Sequence, residues 1–388
     1  MHVLLAPDAF GGTLGAVQVA EAMAVGWGIG AAHDQVEQLP LSDGGPGFLD
    51  VIERAVGGTV VASTVSDPLG REVPATVLVV EDEGLRTAYV EGAQAHGLHL
   101  LAADERHPGV TSTWGIGQLV EVALDQDVRR IVIGVGGGAT NDAGAGLLGA
   151  LGAGPPEVLA RGGLALANAP EDPLPGLLDV RARLAGVDLL LATDEETSLL
   201  GLKGTSALEA PGKGALPTVA QDLEGALGHF VDVTLRGSGA PTLDLLTGRP
   251  RRLDREAGAG ASGGLGFGLL LLGARQISAV DEVLRVTRFA DRARAADLVV
   301  TGAGRVDWAS LRGSVIAAVA TATLATGRPT VLVAGECLVG RRETMGLGIA
   351  SVYAVAETEA EVEAMVANPV DTVATRTARV ARTWSPAR

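Results

Sequence analysis

The sequence predicts an α/β protein, on three observations. Hydrophobic residues make up 47% of the 388-residue chain, enough to bury a sizeable core and too many for a disordered chain. Aromatic residues reach only 3% while glycine reaches 55, a mixture that suits small-residue helix packing and glycine-rich ligand loops better than a β-sandwich. Short apolar runs recur along the chain, each followed by a polar or glycine-rich turn and then a helix-like stretch. At two to three times the usual length of one domain, the chain is expected to hold two.

The clearest runs are residues 2–6, 130–133, 188–192, 297–301 and 330–334. They are rich in Val, Ile and Leu and do not alternate with polar residues, so they read as strands buried on both faces of a mostly parallel sheet. The first run leads through a turn into a helix-like stretch over 14–27, with Thr13 placed as its N-cap. Residues 154–175 and 237–250, rich in Gly with Pro or Ala, read as loops. Glu357, Glu359, Glu361 and Glu363 fall at every second position and read as the solvated opening of a surface helix, where negative charge is favourable.

The formal net charge is -16, which repels phosphate backbones and anionic lipid, so nucleic acid and membrane surfaces are not expected partners. The first ten residues lack the basic region and long apolar stretch of a signal peptide. No run approaches the ~18 apolar residues of a membrane span, and a cytoplasmic protein is the expectation. A single cysteine, Cys337, excludes an intrachain disulfide and a multi-cysteine zinc site. His96, His99 and His107 lack a carboxylate at ligand spacing and read as surface or core residues.

Open α/β sheets bind ligands beyond the carboxyl ends of their strands, so chemistry is sought just after each run. Asp8 stands there after the first, ahead of a helix N-terminus that can receive an anion. Asp43 opens an Asp-Gly-Gly turn. After the run 130–133 come Gly136, Gly137 and Gly138, then Thr140, Asn141 and Asp142. Side-chain-free residues let a ligand approach the backbone, and the Asn-Asp pair supplies oxygen ligands. The segment is neither a Walker loop nor a dinucleotide fingerprint. Asp194 follows the run 188–192. Gly263 and Gly264 lie in a second glycine-dense loop that suits either phosphate or close helix packing. Arg305 and Asp307 place opposite charges after the run 297–301. Of 30 basic residues only Lys203 and Lys213 are lysines, each followed by glycine, as lysines that reach phosphate from a loop would be.

Taken together, these motifs resemble the first family of bacterial glycerate kinases. The family's Pro-Asp-Ser-Phe-Lys-Gly is matched at residues 7–12, its Ala-Asp-Gly-Gly-Glu-Gly at 42–47, and its Gly-Gly-Ser-Ala-Thr-Asn-Asp-Gly-Gly-Ala-Gly at 136–146. Asp-Pro-Leu-Gly-Arg at 67–71, Ala-Thr-Asp at 192–194, Lys-Gly at 213–214, Gly-Ala-Ser-Gly-Gly-Leu-Gly at 260–266 and Thr-Gly-Ala-Gly-Arg-Val-Asp at 301–307 fall in family order. The resemblance implies a flavodoxin-like parallel-sheet domain of residues 1–68 and 281–388, with a second α/β domain, 69–280, inserted into it. It also implies ATP-dependent, magnesium-assisted phosphorylation of D-glycerate in a cleft between the two.

On that resemblance Asp8, Asp194, Lys213 and Arg305 are the expected catalytic residues. Asp194 and Asp8 share the magnesium and the acceptor hydroxyl, one of them serving as base. Asp43, Gly136, Gly137, Gly138, Thr140, Asn141, Asp142, Gly263, Gly264, Lys203 and Asp307 are expected to bind substrate or phosphate. The chain departs from the family where Gly11 replaces lysine, Pro46 replaces glutamate, and Ala303, Ala309 and Ser314 replace more polar or charged members. These departures leave open a divergent paralogue that binds a small carboxylate or nucleotide with little turnover, or a kinase for a related hydroxy acid. The identity of the base, the phosphorylated carbon and a homo-oligomer also stay open.

Overall fold

The computed structural model describes residues 1–82, 84–237, 248 and 251–386. Apart from Gly237 and Gly248, the loop expected over 237–250 therefore lies outside the described residues. The strands are β1 (His2–Pro7), β2 (Gln35–Gln38), β3 (Thr59–Ser66), β4 (Glu72–Asp82), β5 (Leu85–Glu91), β6 (Arg130–Gly134), β7 (Asp188–Ala192), β8 (Arg275–Ile277), β9 (Leu298–Val306), β10 (Thr330–Cys337) and β11 (Ile349–Ala354). They form two sheets, and the chain divides into two compact units. One comprises Met1–Asp43, Asp50–Gly57 and Ser278–Arg388; the other comprises Gly44–Leu49 and Gly58–Ile277.

The first unit holds a five-stranded sheet in the order β11-β10-β9-β1-β2, parallel throughout. Counted along the chain within this unit the order is 2-1-3-4-5, the flavodoxin-like arrangement. Both faces are covered. Val331 and Val333 enter one apolar cluster with Trp27 and Val373, while Leu332 and Ala334 enter another with Ile316 and Ile349. That two-sided burial is why the strands read as unbroken apolar runs. The small-residue composition is used in the packing of helices Ala16–Gly30 and Pro369–Trp384. A Cβ on Gly26 would stand 2.2 Å from the carbonyl oxygen of Ala374, and one on Gly30 would stand 2.4 Å from that of Ala378. The two backbones touch because no side chain separates them.

Thr13 does not cap that first helix, which begins at Ala16. Residues 10–14 close a turn of their own, with Thr13 N and Leu14 N both donating to the Phe10 carbonyl. The Thr13 hydroxyl donates to the same oxygen at 2.9 Å and is spent before the helix starts. The acidic run behaves as expected: Thr358 and Glu361 cap helix Glu359–Ala367 reciprocally and the glutamates are exposed.

Asp34 fastens this unit, its side chain closed to solvent. It accepts from the Met1 amine at 2.6 Å, the Trp27 Nε1 at 3.0 Å and the Ser385 hydroxyl at 3.0 Å. Burial pushes its carboxyl up, but these donors outweigh burial and hold it below the usual range. Asp34→Ala should cost about 2–3 kcal/mol in urea denaturation at pH 7, because it strands charged and buried donors. The folded carboxyl being the stronger acid, its contribution is present at neutral pH and lost as pH falls through the carboxylate range. The difference between wild type and variant should therefore narrow below pH 4.

The second unit holds a six-stranded sheet, β3-β4-β5-β6-β7-β8. From β5 to β8 the pairing is parallel, while β3, β4 and β5 form an antiparallel meander. A search for continuous buried runs finds β6 and β7 and passes over β3, whose exposed and shielded residues alternate. Both sheets are dominated by parallel pairs and flanked by helices, the α/β class the sequence predicts. Among the described residues no helix is long and apolar enough to cross a membrane.

Candidate active site

The expected site residues fall into two groups, one in each unit. In the first unit Asp8 stands just past the carboxyl end of β1, its amide donating to Gly302 O at 2.8 Å. It is half-buried, and its Oδ1 accepts from Ala9 N at 2.7 Å. A cavity of about 460 Å³ opens beside it, lined among others by Asp43, Arg305, Ser310, Ser314 and Glu336. Burial first, and then the charge of Asp43, push the Asp8 carboxyl up to about 8, against the bond from Ala9 that favours ionisation. Asp43 itself is exposed.

Arg305 lies on β9 opposite Glu336 of β10, with its side chain 63% exposed and its Nε 4.0 Å from Asp307. Arg305 therefore lends a cation to the cavity, while Asp307 is occupied locally. The Asp307 carboxylate accepts from the amides of Ala309 and Ser310, bonds from Ser310 holding it below the usual range. Ser314 caps helix Val315–Leu324 through Ala317 N. Three of the five departures from the family pattern, Gly11, Ala303 and Ser314, line the cavity. Glu336 was not read as a site residue; the strand-end rule stops one residue short of it, at Gly335.

In the second unit the triple-glycine loop after β6 lies against the Gly44-Gly45 turn: Gly136 N donates to Gly44 O at 3.2 Å. On its other side Leu98 N donates to Gly137 O and Ala139 N to His96 O. A Cβ on Gly138 would stand 2.2 Å from the Ser262 hydroxyl and 2.4 Å from the His96 ring. Only glycine fits between these two polar side chains. His96 is fully buried and its Nδ1 lies 3.4 Å from the Thr140 hydroxyl. Burial first, then the nearby Lys213 charge, drive its pKa down to about 3, so the ring is neutral.

Thr140, Asn141 and Asp142 are all fully buried. Asn141 Nδ2 donates to Ser206 at 3.1 Å, and Asn141 Oδ1 accepts from Thr205 at 3.4 Å. The Asp142 carboxylate accepts from Thr113 N at 2.8 Å, the Thr113 hydroxyl at 2.9 Å, and the amides of Gly144 and Gly146 at 3.1 Å each. It thereby joins the N-terminal ends of helices Trp114–Leu124 and Ala145–Ala150. Its protein partners make it a support for the loop.

Lys213 is buried, its Nζ 2.9 Å from Thr140 O and 2.7 Å from Glu209. Glu209 also accepts from Gly263 N at 2.9 Å. Gly263 has φ +75 and Gly264 φ +85, and a Cβ on Gly263 would fall 1.9 Å from Thr140 O. This glycine-dense segment therefore packs tightly on the Thr140 backbone. Asp194 is half-buried at the carboxyl end of β7, and Lys203 is exposed in the turn before helix Thr205–Leu208. Glu209 went unread in the sequence, although its place four residues before Lys213 is the spacing of a helical ion pair.

Among the described residues no three His, Cys, Asp or Glu side chains gather to hold a metal by themselves. Asp194 is half-buried beside the exposed Glu195 and Glu196.

Comparison with known proteins bears on this arrangement. The family model described as the glycerate kinase family matches residues 3–385. The glycerate kinase of Bacillus subtilis is 36% identical over 341 residues, covering 87% of this chain and 85% of its own. The glycerate 2-kinase of Escherichia coli is 32% identical over 341 residues, with the same coverage. A crystal structure named for glycerate kinase 2 from Salmonella typhimurium LT2 superposes with a TM-score of 0.74 at 31% identity, covering 99% of this chain and 98% of that one.

Proposed function

The chain belongs to the glycerate kinase family, and from that premise we propose that it transfers the γ-phosphoryl group of ATP to a hydroxyl of D-glycerate. It is a small-molecule kinase. The observation that best supports the finer reading is the Asp8 carboxyl, pushed up to about 8 beside a cavity that also offers Arg305. A base poised near neutrality takes a proton most effectively from an attacking hydroxyl.

Phosphoryl transfer needs positioning and charge neutralisation more than covalent chemistry. Asp8 accepts the proton of the acceptor hydroxyl, and Asp43 keeps it basic. Arg305 attracts an anionic group of the ligand against a chain of net charge -16. Asp194 would hold magnesium together with nucleotide oxygens, and magnesium would supply charge neutralisation on the phosphates. The second unit contributes the Gly136–Gly138 backbone and Lys213 for phosphate or carboxylate, with Lys203 as an outlying cation. This reading treats the two units as the parent and inserted domains of the family. The name of the Escherichia coli relative makes the 2-hydroxyl the first acceptor position to test.

Purified protein should release ADP from ATP with D-glycerate in a magnesium-dependent way, read in a coupled assay against a panel of hydroxy acids. Phosphorus NMR of the product would identify the carbon. Binding of glycerate or ATP without ADP release above background, across the whole panel, would favour a binding protein instead.

A further inference from the structure

The left-handed bend at residues 262–264, within Ala261–Leu271, carries two carboxylates of the chain itself. Ser262 N donates to Glu195 at 3.3 Å and Gly263 N to Glu209 at 2.9 Å. Residues 262–264 are all left-handed, Ser262 with φ 52 and ψ 51. Such a conformation is costly for a non-glycine residue and persists only where the surroundings impose it. Successive amides in such a bend form a concavity that receives an anion. Lys213 adds a cation, bonded to the same Glu209 oxygen.

A second observation points to a ligand. Two buried polar atoms at this bend have no hydrogen-bond partner among the described residues: the Ser262 hydroxyl and Glu209 Oε1. Ser262 is 3% exposed, and leaving such groups unpaired is expensive. A purely structural ion pair would not require an unpaired hydroxyl beside it.

We propose that Glu209 is a resident stand-in for the anionic group of a ligand, a carboxylate or a phosphate, which displaces it from Gly263 N and takes over Lys213. The inference rests on the kinase reading only for the identity of the ligand. The Glu209 side chain is 18% exposed, so its edge is open to solvent. In the displaced state Lys213 keeps its bond to Thr140 O and offers its charge to the incoming anion, and Ser262 gains a partner.

The test is calorimetric binding of D-glycerate and of ADP, as separate arms, to wild type, Glu209→Gln and Lys213→Met. Glu209→Gln keeps the shape and removes the competing charge, so one arm should tighten by about fivefold or more. Lys213→Met should weaken the same arm by about tenfold. The arm that responds identifies carboxylate or phosphate as the occupant. Unchanged or weakened binding of both ligands to a folded Glu209→Gln would overturn the proposal. Should that variant not fold, the amide resonances of Ser262 and Gly263 in wild type decide: they shift on saturation with one of the two ligands, and their indifference to both overturns it. Wild-type turnover measured in parallel separates the two readings. Turnover of glycerate with no effect at Glu209 sinks this inference alone, and tightening at Glu209 without turnover sinks the kinase reading alone.

Discussion

Asp142→Ala is expected to lose about 3–5 kcal/mol of folding stability, the largest structural effect of any single substitution in the second unit's loop. The carboxylate is fully buried and accepts four hydrogen bonds, two from Thr113 and one each from Gly144 and Gly146. Alanine strands all four donors where water cannot reach, and each unsatisfied buried group costs about 1–3 kcal/mol before relaxation. Asp142→Asn should recover only part of the loss, because an amide offers two acceptor positions on one oxygen and turns its NH2 towards donors. Burial still raises the Asp142 pKa despite these bonds. The folded state thus holds its proton longer than the unfolded chain, and this group's contribution falls as pH rises through the carboxylate range. Urea denaturation of the three proteins at pH 5 and pH 7.5 measures both effects. A loss below 1 kcal/mol in Asp142→Ala would show that the two helix starts do not depend on this carboxylate.

The same residue shows what sequence could and could not reveal. Asn-Asp after three glycines reads as an oxygen-rich ligand loop, and a loop does follow β6 there. Yet a carboxylate that faces a ligand and one that fastens two helices carry the same letter. Only the position of Thr113, far away along the chain, separates the two roles. The parallel strands could be read because burial on both faces leaves a continuous apolar signature, while the alternating β3 and the short β8 and β2 leave none. Lys213 stood out by rarity, but its partner Glu209 is one of many acidic residues and becomes informative only once Gly263 N is seen to point at it. Ser262 is one more small residue of a glycine-dense run in the sequence, because its left-handed backbone and unpaired hydroxyl belong to three dimensions. His96 is buried, as a core histidine should be, but its contact with Gly138 ties it to the glycine loop.

Asp8→Asn should lower kcat for glycerate phosphorylation by about 10²- to 10⁴-fold, the usual contribution of a positioned general base, and leave the Michaelis constant within a few fold. The asparagine keeps the shape and the bond from Ala9 but cannot take a proton. The pH dependence carries the sharper test. With the Asp8 carboxyl pushed up to about 8, kcat/KM of the wild type should climb through that region as the carboxylate forms. Asp43→Asn removes the smaller of the two causes and leaves burial in place, so the limb should move to lower pH without vanishing. Stability should report the same group with the opposite slope. Its folded pKa of about 8 lies above that of an aspartate in the unfolded chain, so the folded state binds the extra proton between about pH 4 and 8, and stability from this group falls as pH rises across that window. Asp8→Asn should flatten that part of the profile and gain on the wild type at pH 8 and above. Retention of more than a tenth of the wild-type rate in Asp8→Asn, or a limb that stays in place in Asp43→Asn, would move the base elsewhere, with Asp194 the next carboxylate to replace.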